Sequence, residues 1–336
     1  MTVNTLLAMD IDAIYEPVQT DLVRVRESLL AIVPPETALL VESVHHAMGG
    51  EGKLFRPLLC LLASGASGQI ESSHIETAAV AELIHVATLL HDDVLDDAGL
   101  RRGKATIRAL WGNKISILSG DYLLAQASLK LSKLNNCRLV SIFATVLSNL
   151  CEGEVEQIHT SYNLKTSWDS YFKKSICKTA SLFSACCESA GVLNHLPETE
   201  IQALKLFGEQ FGIAFQIVDD LLDYTASAEK LGKPVLDDLK NGLLNAPVLI
   251  ALEAFEAQPE KRQTLETLVE KVFTEDPESL QQALFALLEE ADAIPKTLAM
   301  AEDYAEKARS AIRFLPPTPY LKALEGLTRY AIRREY

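Results

Sequence analysis

Two long apolar runs in this sequence end in the same acidic pattern, and that repetition constrains the fold more than any other feature. Leu83–Leu90 leads into His91-Asp92-Asp93-Val94-Leu95-Asp96-Asp97, and Phe211–Val218 leads into Asp219-Asp220-Leu221-Leu222-Asp223. Both copies read Asp-Asp-x-x-Asp. On a helix, residues i, i+1 and i+4 lie on nearly one face, so each copy is expected to set two or three carboxylates side by side. Neighbouring carboxylates push one another toward protonation unless a cation sits among them. Oxygen donors with no Cys or His nearby suit Mg²⁺, which takes one or two carboxylates plus substrate phosphates and keeps waters. A single Asp-rich helix end is commonly a solvated cap. Two copies, each behind an apolar helix, point to one site for several Mg²⁺ ions and a diphosphate.

Nearly every segment carries helical spacing, and strand-type alternation is nearly absent. Asp21 to Ile32 reads as helix and stops at Pro34-Pro35; a second helix opens at Pro35 and runs to about Met48, where Gly49-Gly50-Glu51-Gly52 breaks it. Lys53 to Ala66 is the next. Ser72 and Ser73 are expected to cap a helix from about His74 to Asp97, with the first acidic copy at its C-terminal end, where the helix dipole disfavours carboxylates. Further helices are expected over about 113–134, 137–161, 167–191, 198–225, 245–257, 259–272, 277–290, 294–313 and 318 to the end. The expected fold is all-α, a single-domain helical bundle over residues 1–336 with a central active-site cavity between facing helices.

Composition narrows the partners. The chain has 336 residues, 48% of them hydrophobic, enough for a large core without any Pro/Gly/Ser-rich linker. A net charge of −15 argues against nucleic acid, whose binders carry basic patches. It does not argue against a diphosphate, because local Lys, Arg and Mg²⁺ can invert the field. The six Cys form no C-x-x-C pair and no Cys/His ligand spacing, so zinc is not expected and free thiols in a reducing cytosol are. Met1 to Ala13 lacks a basic n-region, so no signal peptide is expected, and no apolar run is long enough to span a bilayer.

Basic groups cluster in three places. Lys53 and Arg56 are three residues apart on one helical face; Arg101 and Arg102 follow the first acidic copy; Lys178-Thr179 and Lys233 frame the second half. Such groups suit a diphosphate, which needs bidentate donors and point charges. His85 lies two turns before Asp92 and reads either as a satisfied core histidine or as a diphosphate donor.

Together these residues resemble the trans-isoprenyl diphosphate synthases, the polyprenyl synthase family, and within it the long-chain branch of solanesyl and octaprenyl type. The matching motifs are Gly52-Lys53-x-x-Arg56-Pro57, the first acidic copy with Leu100-Arg101-Arg102-Gly103, Gly120-Asp121, Gly153-Glu154-x-x-Gln157, Lys178-Thr179-Ala180, Phe215-Gln216-x-x-Asp219-Asp220-x-x-Asp223 and Gly232-Lys233-Pro234. They run in the family's order over about residues 50–247. The resemblance implies that Asp92, Asp93 and Asp96 hold Mg²⁺ on the allylic diphosphate from one side and Asp219, Asp220 and Asp223 from the other. Arg101, Lys178 and Lys233 would bind that diphosphate. Lys53, Arg56, His85 and Arg102 would bind isopentenyl diphosphate, with Gln157 and Lys240 completing the substrate-binding set. Thr179 and Gln216 would line the reacting carbons. It further implies a cytoplasmic homodimer, with transient membrane contact for release of product. The expected product is an all-trans polyprenyl diphosphate for quinone side chains, made from farnesyl or geranylgeranyl diphosphate.

The chain departs from the family pattern at four places. Leu54-Phe55 stands where Arg is usual between Lys and Arg, Glu51 where Gly is common, and Leu236 where Gly usually precedes Asp-Asp. Gly242-Leu243-Leu244-Asn245-Ala246-Pro247 lacks the frequent Lys-x-Thr. A similar pattern occurs in the cyanobacterial and plastid solanesyl-type branch. Product length should be set by the helix before the first acidic copy. Bulky aromatics there stop elongation in the family; Ala87 and Thr88, with Leu83 and Ile84 a turn deeper, leave it open and imply heptaprenyl to decaprenyl products. Two other readings compete. One is a regulatory subunit of a heteromeric synthase. The other is a class I terpene cyclase, whose second motif normally differs from Asp219-Asp220-x-x-Asp223.

Overall fold

A computed structural model describes residues 11–32, 36–49, 53–101, 103–225, 235–275 and 277–333. The fold is all-α, as expected. The chain opens with α1 (Ile11–Tyr15), a 3₁₀ turn (Glu16–Val18) and α2 (Gln19–Leu30), then α3 (Ala38–Met48), α4 (Phe55–Ser67) and α5 (Ser72–Leu95). A two-residue antiparallel hairpin, β1 (Leu100–Arg101) with β2 (Lys104–Ala105), replaces the simple loop expected after α5. Next come α6 (Ile107–Trp111), α7 (Asn113–Lys133), α8 (Cys137–Thr160) and α9 (Trp168–Ser175). A π-helical turn, Ile176–Ala180, joins α9 to α10 (Ser181–Leu193), and α11 (Glu198–Thr225) carries the second acidic copy. The chain closes with α12 (Asp237–Lys240), α13 (Ala246–Ala254), α14 (Pro259–Thr274), α15 (Pro277–Glu290), α16 (Ala293–Ala311) and α17 (Pro319–Arg333).

The chain forms two compact units. One gathers the described residues of Met1–Thr145, Leu182–Lys205 and Ile312–Leu327; the other those of Val146–Ser181, Leu206–Ala311 and Thr328–Tyr336. The segments interleave, which is why no linker composition marks a boundary.

In the first unit α5 is the central helix. It packs against α2, α4 and α7, and residues on all its sides are buried, including Ile75, Val80, Leu83, Ile84 and Val86. A helix apolar all round belongs inside a core. Each fully buried Leu or Ile contributes about 1.5–3 kcal/mol relative to exposure. Its start differs from expectation. Extended Glu71, not Ser72 or Ser73, is the cap; its side chain accepts from the His74 backbone while the Glu71 N–H donates to His74 Nδ1 at 3.0 Å. That reciprocal box releases Ser72 into the first helical turn.

In the second unit Ile213, Ile217 and Leu222 of α11 pack with Leu249, Phe255, Leu265, Val269 and Leu284 from α13 to α15 and their connections. Leu236 caps α12 at φ 64°. A left-handed Leu costs about 1–2 kcal/mol, which explains the family's Gly there. Its side chain is fully buried, and that burial offsets the strain. Among the described residues no helix is long and apolar enough to cross a membrane.

Candidate active site

In the first unit the site is built at the C-terminal end of α5. The helix ends at Leu95, so Asp96 takes the cap position and Asp97 turns left-handed at φ 54°. Asp93 is buried, Asp92 half-buried and Asp96 exposed. Asp92 and Asp96, four residues apart, keep to one side of the helix end, while Asp93, about 100° around from Asp92, turns inward. Arg101, presented by the hairpin, donates from Nε to Asp93 Oδ1 at 2.7 Å. The connection is tied at its base. Arg108 pairs with the Asp97 carboxylate and donates to its carbonyl at 2.8 Å, while the Thr106 hydroxyl donates to Ala98 O at 2.7 Å. The Gly120-Asp121 motif has a steric reason: a Cβ on Gly120 would lie 2.3 Å from His91 Nε2. His91 Nε2 instead sits 3.2 Å from Ile117 O and 3.4 Å from Asp121 Oδ1.

The other expected residues of this unit lie on α4 and α5 or beside them. Lys53 is exposed, and its carbonyl accepts from the Tyr15 hydroxyl. Arg56 is half-buried with its guanidinium 4.9 Å from the centre of the Phe183 ring, a cation–π contact. His85 is half-buried, and the Thr88 hydroxyl donates to its carbonyl at 2.8 Å. Leu83, Ile84 and Ala87 are fully buried. Of the six free cysteines, Cys60, Cys177, Cys186 and Cys187 are buried and Cys137 and Cys151 exposed. A hydrogen bond with Cys60, then burial, pushes the Cys186 thiol well up, which makes that thiol a packing group rather than a nucleophile. Arg102 and Lys233 lie outside the described residues.

The helix expected over about 167–191 is present as one continuous run from Trp168 to Leu193, but it is not regular throughout. The π turn Ile176–Ala180 inserts where Lys178 and Thr179 stand. Such turns re-aim side chains and concentrate at functional sites. Gly153 of α8 allows the close approach, since a Cβ there would lie 2.8 Å from both Cys177 Cβ and Lys178 Cγ. Glu154 and Gln157 flank that contact. Lys178 Nζ pairs with the Glu154 carboxylate and donates to Gln157 Oε1 at 3.1 Å. Thr179 begins a run of hydrogen bonds into the core. Its hydroxyl donates to Gln216 Oε1 at 2.7 Å, and Gln216 Nε2 donates to Asp220 Oδ1 at 2.9 Å. Asp220 Oδ2 accepts from the Tyr171 hydroxyl at 2.7 Å and the Ala246 N–H at 3.3 Å. Asp223 accepts from the Asp238 N–H at 3.3 Å. Asp219 is exposed while Asp220 and Asp223 are buried. Lys240 ends α12 exposed.

Among the described residues no three of His, Cys, Asp and Glu are gathered into a ready-made metal cluster. Each copy nonetheless offers carboxylate oxygens, which suit a hard divalent cation that takes one or two of them and the rest from phosphate and water.

The sequence pattern of the polyprenyl synthetase family matches residues 37–287. This chain belongs to that family. It is a prenyltransferase, of the group that makes long-chain polyprenyl diphosphates. It is 37% identical over 326 residues to a prenyl transferase of Cyanophora paradoxa, covering 96% of this chain and 98% of that one. It is 35% identical over 329 residues to heptaprenyl diphosphate synthase component 2 of Geobacillus stearothermophilus, covering 98% and 100%. Two solved structures superpose closely. A decaprenyl diphosphate synthase from Rhodobacter capsulatus gives a TM-score of 0.88 at 35% identity, covering 96% of this chain and 99% of that one. A Caulobacter crescentus polyprenyl synthase, complexed with calcium and isoprenyl diphosphate, gives 0.90 at 31%, covering 98% and 99%.

Polyprenyl synthetase motifs account for Lys178, Thr179, Gln216 and Asp220, but not for Tyr171 or Lys174. Tyr171 is the buried donor to Asp220; burial, then the Asp220 charge, pushes its hydroxyl well up, so it stays protonated. Lys174 lies one helical turn before Lys178, a spacing visible in the sequence. Burial lowers its pKa, and Asp220 and Asp238 act against that.

Burial raises the Asp220 carboxyl from its ordinary 3.8 to about 6, with Lys174, Tyr171 and Gln216 pulling the other way. Its folded pKa lies above its unfolded one. Its contribution to stability is therefore full below pH ~4 and lost as pH rises through about 6, a loss of about 3 kcal/mol. Urea unfolding with EDTA present should show Asp220→Asn gaining about 3 kcal/mol on the wild type between pH 4 and 7.5. A difference independent of pH would refute the assignment.

Proposed function

We propose that this enzyme condenses isopentenyl diphosphate head-to-tail with farnesyl or geranylgeranyl diphosphate, giving an all-trans polyprenyl diphosphate of heptaprenyl to decaprenyl length for quinone side chains. The observation that carries the reading is the π turn. It sets Lys178, held by Glu154 and Gln157, next to Thr179, held by Gln216. Lys178 is a point charge for the allylic diphosphate. The Thr179 hydroxyl commits its proton to Gln216 Oε1, leaving oxygen lone pairs to face an allylic cation.

The allylic C–O bond breaks with both electrons leaving on diphosphate. The isopentenyl π electrons form the new C–C bond, and a proton passes to the released diphosphate as the new double bond closes. No side-chain nucleophile is needed. Arg101 and Lys178, with Lys233, hold the departing diphosphate; Lys53, Arg56, His85 and Arg102 hold that of isopentenyl diphosphate. Asp92, Asp93, Asp96, Asp219 and Asp223 would hold Mg²⁺, which supplies charge neutralisation for the leaving diphosphate. Asp220, with both oxygens accepting hydrogen bonds, serves as the hub that orients Gln216.

We assign a cytoplasmic homodimer with transient membrane contact for product release. α8 supplies a surface for pairing: Val140, Val155 and Ile158 are 44%, 67% and 62% exposed and lie on one face with Ala144 and Cys151. A second reading, a catalytic or regulatory subunit of a heteromeric synthase, is favoured by the likeness to a heptaprenyl synthase component.

The test uses the purified chain alone with Mg²⁺, labelled isopentenyl diphosphate and either primer, with prenols sized after extraction and mass read by light scattering. A ladder reaching C35–C50 from a dimer supports the proposal. No incorporation with either primer transfers it to the subunit reading.

A further inference from the structure

Resting on the prenyl synthase reading, we propose that Lys174 is a positioning residue of the second aspartate cluster, seated under the Gly242–Leu244 segment as the counter-charge of Asp220 and Asp238. Lys174 lines a small cavity together with Thr160, Thr166, Ser170, Tyr171 and residues 242–244. The space is about 10 Å³, room for one water. The hydroxyls of its lining have their protons engaged elsewhere. The Thr160 hydroxyl donates to Glu156 O, that of Thr166 to Asn163 O and that of Ser170 to Glu156 Oε1. With those protons committed, the three hydroxyl oxygens have lone pairs left to accept from an ammonium or a water. Tyr171 gives its hydroxyl to Asp220 and its ring face to Lys174, whose Nζ is 5.8 Å from the ring centre. The groups acting on Lys174 from the surrounding elements are Asp220 of α11, Asp238 of α12, Glu154 of α8 and, repulsively, Lys178.

Lys174 thus stands between the buried hub and the segment that carries Leu243. The hub orients Gln216, and Gln216 holds Thr179. Without the ammonium, Asp220 and Asp238 repel across the hub, and the run to Thr179 loses its register. Leu243 borders the same cavity, so a lysine at that position can deliver its ammonium there from the opposite wall.

The experiment compares wild type, Lys174→Met, Lys174→Gln and the double variant Lys174→Met/Leu243→Lys. Both single variants should lose about 10- to 100-fold in kcat/KM for the allylic diphosphate, with the KM for isopentenyl diphosphate unchanged. The double variant should recover most of the loss. A merely structural lysine would not be replaced from another strand of backbone. Calorimetry with inorganic diphosphate and Mg²⁺ reads the same proteins without turnover: binding should weaken in both single variants and return in the double. Wild-type kcat/KM in Lys174→Gln, or a folded double variant no better than the single, overturns the inference. A wild type that binds Mg²⁺–diphosphate with this pattern but extends no primer would sink the synthase reading and leave the role of Lys174 standing.

Discussion

Asp93→Asn should lower kcat/KM for the allylic diphosphate by ~10³-fold, the loss typical of removing one aimed electrostatic group from a site that works by charge stabilisation. In the proposed mechanism the residue acts twice. Its carboxylate is one of the oxygen donors at the end of α5, and it is the anchor that holds Arg101 at 2.7 Å. Arg101 sits on a hairpin of only two residues per strand, which gains little from its own ladder. With Asn at 93 the guanidinium keeps at best a neutral acceptor, roughly half as strong as the charged one. Arg101→Ala should cost less, ~10- to 100-fold, because Asp93 then remains for the cation. The half-saturating Mg²⁺ concentration separates the two effects, rising in Asp93→Asn and holding steady in Arg101→Ala. Steady-state kinetics over a Mg²⁺ titration checks it. An Asp93→Asn enzyme with a tenth or more of wild-type kcat/KM would remove this carboxylate from the machinery.

Much of this site is legible in the sequence because its parts are local. The two Asp-Asp-x-x-Asp copies, Gly153-Glu154-x-x-Gln157 and Lys178-Thr179 are each short, and helical periodicity places them on helices without knowledge of the packing. What the periodicity hides is rotation and interruption. Spacing puts Asp219, Asp220 and Asp223 near one another. Only packing turns Asp220 inward to Tyr171 and leaves Asp219 exposed. The π turn at 176–180 is equally hidden, since no Gly or Pro marks it; the signal lies at Gly153 on another helix, where a Cβ would collide with Cys177 and Lys178. Tyr171 and Lys174 read as an ordinary amphipathic turn for the same reason: their partners, Asp220 and the 242–244 segment, are far along the chain.

The departures from the family pattern gain physical content in the same way. Leu236 keeps the left-handed conformation that Gly would adopt freely, and buries its side chain completely. Leu243 leaves an apolar wall where a cation is frequent, and that wall faces a lysine supplied by α9. At these two positions the surroundings of the second acidic copy are kept while individual residues drift.

Ala87→Phe should shift the longest major product down by several isoprene units. Ala87 lies five residues before Asp92, about 7.5 Å along α5 at 1.5 Å per residue, on the helix that dominates the core of the first unit. It is fully buried, as are Leu83 and Ile84, and its side chain is a single methyl. A phenyl ring needs the space that a growing hydrocarbon would occupy, or else the space of a neighbouring helix. The two cases differ in what they cost the fold. Filling a channel leaves stability near wild type, since an apolar ring gains burial. Forcing a ring into packed side chains costs about 1–3 kcal/mol. The expected result is shortened prenols with a melting temperature within a few degrees of wild type. Wild-type product length from a folded Ala87→Phe enzyme would show that the methyl at 87 packs against protein and that chain length is measured elsewhere on α5. The companion Ala87→Val, smaller and better tolerated, should shift the product in the same direction by a smaller step, so that a graded series rather than a single damaged protein decides it.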